Sequence, residues 1–200
     1  MKLLYSPASP FARKARVLLR ETNQLGVVEE VAVSTTPHDT APEVAAANPT
    51  GRIPVLLREE GPALYDSRVI TRFLDARAKA GLYPEARLWE VLTLEATADG
   101  ITDSALSMVY EVLFRPEAQQ SPEWIAAQWA KVTRGLQVLD DRWMSHLHGP
   151  LDMGQIALAC ALGYLDLRHE ARKWRQGNDM LAAWYGRFSE RQAMVETRPV

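Results

Sequence analysis

The chain has 200 residues, 47% of them hydrophobic, and a formal net charge of −2. That supplies apolar material for one core or two small ones, and the scattered Lys and Arg offer no basic face to nucleic acid. No apolar run approaches the ~20 residues that span a bilayer, and a single cysteine, Cys160, excludes an internal disulfide. The opening "MKLLYSPASP" has one positive charge and a very short apolar stretch, unlike a secretory signal, so a cytoplasmic protein is expected. There is no CxxC, no HExxH and no glycine-rich phosphate loop. His38, His146, His148 and His169 show no metal spacing, so no metal is expected. His146 and His148 close a helix, where a cation is favourable.

"KLLYS" reads as a strand. "PFARKARVLLRETNQ" reads as a helix, with Phe11, Ala15, Leu18 and Leu19 at helical spacing and Arg13, Lys14, Arg16 and Arg20 between them. Gly26 stops it, and "VVEEVAV" is a second strand. "APEVAAA" is a short helix closed by the turn "NPTG". "RIPVLL" and "PALY" read as two strands of a hairpin. "DSRVITRFLDARAKA" returns to helix. The order βαβ, short helix, ββα describes a small α/β layer.

Beyond "GLYPEA" strand signals vanish. "LWEVLTLEATADGITDSALSMVYEVLF" is a long helix, expected to kink near Gly100. In the next helix Ile125, Trp129, Val132, Leu136, Leu139 and Trp143 form a core-facing seam. "DMGQIALACALGYLDLR" and "NDMLAAWYGRFSE" add two more helices. The boundary falls near residues 79–86, with an α/β domain over 1–80 and an all-helical domain over 87–200.

Four short features carry chemical interest. Ser9-Pro10 matches a helix N-cap followed by a first-turn proline. "NPTGRIPVL" sets Pro54 at a strand entry, where an X-Pro bond takes either isomer. "YDSRVI" puts Asp66 and Ser67 at a helix start. Asp152 and Gln155 form a capping-box pattern. Taken singly, each is ordinary punctuation. Their order and spacing set them apart.

Together they resemble the glutathione S-transferase family, in particular its small bacterial, cytosolic, serine-type members. "SPASPFARK" is similar to the family's opening of helix 1. "NPTGRIPVL" is similar to its N-P-x-G-(K/R)-(V/I)-P-x-L segment, and "LYDSRVI" to its (E/D)-S-x-x-I motif. "DMGQIALA" resembles the S-x-A-D-I-A-x-A signature, with Asp152 and Gln155 in place of the usual Ser/Thr and Asp. The resemblance spans the chain. It implies a thioredoxin-like N-terminal domain and an all-α C-terminal helical-bundle domain.

The resemblance also implies glutathione as co-substrate and no metal. Ser9 would donate its hydroxyl proton to the glutathione sulfur in preference to acting as a cap acceptor, with Tyr5 the alternative activator and otherwise a core residue. Asp66, or Asp103 from a partner subunit, would meet the α-ammonium, and Ser67 the γ-glutamyl carboxylate. A cis Pro54 would turn the Ile53 backbone toward the cysteinyl backbone. Arg52, otherwise a solvated loop residue, would take the glycyl carboxylate, with Asn48 as a second candidate. A small electrophile would bind between the domains, along the helix carrying Met108, Val109 and Leu113, and a homodimer is expected. Neither nucleic acid nor membrane is an expected partner. With no cysteine in the first helix, thiol exchange is disfavoured, and Cys160 reads as a core residue. A non-catalytic binding or regulatory protein, and a glutathione-dependent isomerase or peroxidase, stand as alternatives.

Overall fold

Apolar periodicity and turn chemistry place the elements of the computed structural model, which describes residues 1–199. In chain order they are β1 (Lys2–Tyr5), α1 (Pro10–Glu21), β2 (Glu29–Ala32), α2 (Pro42–Ala47), β3 (Val55–Leu57) and α3 (Ser67–Ala78). Then follow α4 (Leu88–Phe114), α5 (Pro122–Arg142), α6 (Met144–Leu147), α7 (Met153–His169), α8 (Asp179–Phe188) and α9 (Gln192–Glu196). A thioredoxin-like layer and a helical bundle are both present.

The chain forms two units. The first is Met1–Leu88 together with the C-terminal segment that begins at Gln192; the second is Trp89–Arg191. In the first, the strand order is β2-β1-β3. β1 runs parallel to β2 and antiparallel to β3. The parallel pair requires a crossover, and α1 provides it. Leu4, Val33, Val44 and Val55 form a buried cluster against which Ile53 packs. Each such side chain contributes about 1.5–3 kcal/mol when removed from water.

The expected hairpin is reduced to a single pairing, Leu56 with Leu64. Arg58 donates to Pro62 O across the turn at 2.9 Å, and Pro62 itself brings no N–H to a ladder. Strand pairing therefore stops after one residue pair.

In the second unit α4 runs without interruption through Gly100, which is exposed. One glycine costs about 1 kcal/mol against alanine, too little to break a helix of this length. The α5 seam is fully buried at Val132, Leu136 and Leu139 and half-buried at Ile125, Trp129 and Trp143. A Cβ on Gly154 of α7 would stand 2.9 Å from Leu94 Cβ of α4, so only glycine allows that approach. Asp152 caps α7 and Gln155 returns the bond, completing the capping box. Cys160 is buried in α7. Among the described residues no helix is long and apolar enough to cross a membrane.

Candidate functional site

Ser9 ends the turn after β1 with extended backbone angles, φ −78° and ψ 115°. Its Oγ accepts the Ala12 N–H at 3.2 Å, and its carbonyl accepts the Arg13 N–H at 3.0 Å. It is therefore an N-cap acceptor, which corrects the expectation that the hydroxyl is withheld from the cap. The two roles are compatible. A hydroxyl accepts through lone pairs and donates through its proton, and among the described residues nothing accepts the Ser9 proton. Tyr5 lies in β1, half-buried, with the Arg16 guanidinium 4.2 Å from its ring centre.

The strand register carries the geometry. Leu4 pairs with Val55, and Leu56 pairs with Leu64. Extending these registers, one residue on from Leu4 and Val55 lie Tyr5 and Pro54, and two residues on from Leu56 and Leu64 lie Pro54 and Asp66. One edge of the sheet thus gathers the turn leading to Ser9, the Ile53-Pro54 entry to β3 and the start of α3. The Ile53-Pro54 peptide is cis, as is the Tyr65-Asp66 peptide.

Asn48 shapes the approach to Pro54. Its Nδ2 donates to Arg52 O at 2.8 Å, and its Oδ1 accepts from Thr50 N and Thr50 Oγ1 at 3.0 and 2.9 Å. This amide is buried and engaged at both ends, and it builds the loop before Pro54. Gly51 has φ +64°, which glycine adopts without strain. Arg52 is exposed on that loop.

Asp66 caps α3. Its carboxylate accepts from Arg68 N and from Arg68 Nη2, each at 3.0 Å. Partial burial alone would raise its pKa. The hydrogen bond and charge of Arg68, with the charge of Lys14 on α1 behind them, outweigh burial and hold it below the ordinary aspartate value. Ser67 is the first residue of α3 and almost fully buried, at the open N–H end of the helix. Its carbonyl accepts from Thr71 Oγ1, which also meets Tyr83 Oη at 2.8 Å.

The remaining expectations fall on the second unit. Asp103 is exposed on α4; Met108 is buried and Leu113 exposed. His146 Nε2 stands 2.8 Å from Asp152 Oδ2, pairing with the cap of α7. His148 Nδ1 meets Met144 O at 2.7 Å and its Nε2 meets Arg187 Nη2 at 3.1 Å. The ring thus bridges the end of α6 to α8. His169 contacts Ala105 O at 2.9 Å, and burial pushes its pKa down. Among the described residues no group of His, Cys, Asp or Glu could hold a metal.

Sequence reading missed the fate of the α1 cations. Arg13, Lys14 and Arg16 are all buried. Arg13 Nη2 donates to Met194 O at 3.0 Å, and its Nε to Thr197 Oγ1 at 3.4 Å. Arg16 and Arg20 both grip Glu30 of β2, and Arg20 also holds Glu196 at 3.0 Å. The available signal was the spacing of residues 9, 13, 16 and 20, one stripe of a helix.

Residues 8–77 match the family model "Glutathione S-transferase, N-terminal domain", and residues 122–187 match "Glutathione S-transferase, C-terminal domain". The chain is 34% identical over 204 residues to the uncharacterized GST-like protein YibF of Escherichia coli K12, covering 100% of this chain and 98% of that one. A glutathione transferase family member from Pseudomonas fluorescens Pf-5, solved with bound glutathione, is 40% identical with a TM-score of 0.97, covering 100% and 98% of the two chains. A glutathione S-transferase from Methylobacillus flagellatus KT, with glutathione bound, is 38% identical with a TM-score of 0.87, covering 100% and 99%.

Proposed function

Because the chain belongs to the glutathione S-transferase family, we propose that it binds glutathione and activates its thiol for attack on a small electrophile. The observation that carries this reading is the sheet edge where Ser9, cis Pro54, Asp66 and Ser67 converge. The first unit, Met1–Leu88 with the segment from Gln192, is the glutathione-binding one, and Trp89–Arg191 is the helical one.

A thiol of pKa near 8.5 is mostly protonated at neutral pH, and each unit of lowering stabilises the thiolate by about 1.4 kcal/mol. Ser9 supplies its unshared O–H to the sulfur. The N–H groups at the start of α1 add positive potential, as they do for activated cysteines. The thiolate forms the new S–C bond, and the leaving group departs with the electrons of the bond it breaks. The same activated thiolate serves conjugation, isomerisation and peroxide reduction.

Ser67 Oγ and the Ser67 N–H, at the positive end of α3, take the γ-glutamyl carboxylate. Asp66 takes the α-ammonium, exchanging part of its contact with Arg68. The Ile53 backbone pairs with the cysteinyl backbone as an added strand would. Arg52 reaches the glycyl carboxylate from the loop. In a homodimer, Asp103 of a second copy adds a further acid for the ammonium. The protein works in the cytoplasm and acts in detoxification.

Retention on immobilised glutathione tests the site. The wild-type protein should bind, and Ser67→Ala should weaken retention about tenfold, the loss of one charge-assisted hydrogen bond. Unchanged retention overturns the assignment.

A further inference from the structure

We propose that Arg13 is a positioning residue for the thiol site and that the chain's own C-terminal segment, Met194 to Thr197, holds it in place. The inference rests on Ser9 as the thiol activator and concerns what fixes Ser9.

Arg13 joins the cap to the far end of the sequence. Its backbone N–H closes the first helical bond onto Ser9 O at 3.0 Å. Its side chain, 4% exposed, donates to Met194 O and Thr197 Oγ1. Both acceptors are fixed. Met194 and Thr197 are fully buried, and Thr197 Oγ1 donates in turn to Ala193 O at 2.7 Å. One residue therefore carries a bond to the cap on its main chain and bonds to a distant segment on its side chain.

Its neighbours on the stripe reinforce this. Arg20 links Glu196 to Glu30, which also holds Arg16. The C-terminal segment thus grips α1 at both ends of one helical face. Rotation of α1 about its axis would break these bonds and swing Ser9 Oγ away from its place. A donor must lie within about 0.5 Å of its productive position to work fully on a developing charge.

The contacts assigned to the rest of glutathione lie at the start of α3, on the loop before β3 and on α4 of a second copy. None is on α1. Losing the grip on α1 should therefore disturb the sulfur before it disturbs the rest of the ligand.

The test uses full-length protein and two titrations. The first follows thiolate absorbance of bound glutathione against pH. The second measures affinity for S-methylglutathione, which lacks an ionisable thiol and reads the other contacts alone. Arg13→Met should cut the thiolate fraction at neutral pH about threefold or more, half a pKa unit or above, with S-methylglutathione affinity within about twofold. Arg13→Lys should fall between Met and wild type, because an ammonium reaches one of the two acceptors. Thr197→Val gives the same direction with α1 untouched, and carries the test if Arg13→Met fails to fold. An unchanged thiol pKa in folded Thr197→Val, or equal losses in both titrations, overturns the proposal. If wild-type-bound glutathione titrates like free glutathione, the thiol-activating role of Ser9 fails first, and that outcome is distinct from either.

Discussion

Arg20 and Glu30 are joined by two hydrogen bonds, Nη1 to Oε1 at 2.7 Å and Nη2 to Oε2 at 3.0 Å. The pair ties α1 to β2. Burial would raise the Glu30 pKa, but hydrogen bonds and charge from Arg20 and Arg16 hold it below 4.5. A depressed carboxylate contributes stability above its unfolded pKa and loses it as pH falls through its folded pKa.

Glu30→Gln should lower stability at pH 7 by about 1–3 kcal/mol, the range for a charged hydrogen bond left without its partner. The gap between variant and wild type should shrink as pH falls below 4.5, the ordinary glutamate value. Urea unfolding at several pH values measures it. A gap independent of pH would show that packing, not charge, makes the contact.

Ser9 has two separable roles. Ser9→Ala should cost about 1 kcal/mol through the lost cap and should also raise the thiol pKa of bound glutathione. Ser9→Asp keeps a cap acceptor, has no proton to donate at neutral pH and sets a negative charge beside the sulfur. It should preserve thermal stability yet raise the thiol pKa further than alanine. Equal thiol pKa values in wild type and both variants would return Ser9 to capping alone.

Asp66 is held below the ordinary aspartate value by Arg68. It stays ionised down through that value, so glutathione affinity should not weaken from this residue between pH 7 and pH 5. Asp66→Asn should weaken binding about tenfold at pH 7, as read by calorimetry. Affinity that falls with a midpoint near pH 6 would move the ammonium partner elsewhere.

Gly154 marks the closest approach of α7 to α4. Gly154→Ala drives a methyl to 2.9 Å from Leu94 Cβ, which cannot swing aside as a side-chain tip could. Overpacking of this kind costs about 1–3 kcal/mol. Adding Leu94→Ala removes the Cδ2 and Cγ that would also stand 2.9 and 3.0 Å from the new methyl and should recover part of that loss, with a coupling of about 1 kcal/mol in a double-mutant cycle. Strict additivity would mean that the helices simply separate.

The parts legible in the sequence were those written in local chemistry. Ser9-Pro10, Asp66-Ser67 and Asp152…Gln155 announce helix starts because capping is decided within three residues. The α5 seam announces itself by period. What escaped depended on distance. The partner of Arg13 could not be read, since nothing near it reveals Thr197, 184 positions away. Asn48 looked like a ligand group because its loop partners, Thr50 and Arg52, are satisfied only in three dimensions. "PALY" had the apolar content of a strand, and the hydrogen-bonded turn before it prevented the ladder. The contact of His148 with Arg187 of α8 likewise joins residues 39 positions apart.

The first unit is assembled from two stretches separated by the whole of Trp89–Arg191. At about 5–20 residues per second of synthesis, the roughly 170 residues from the end of α1 to Gln192 put roughly 9–35 seconds between the birth of α1 and that of the segment it binds. During that interval the buried cations of α1 have no C-terminal partner. The nascent protein therefore keeps its first eighty-eight residues incomplete until the stretch from Gln192 onward emerges, so that the first module is completed only after the whole of the second has been made.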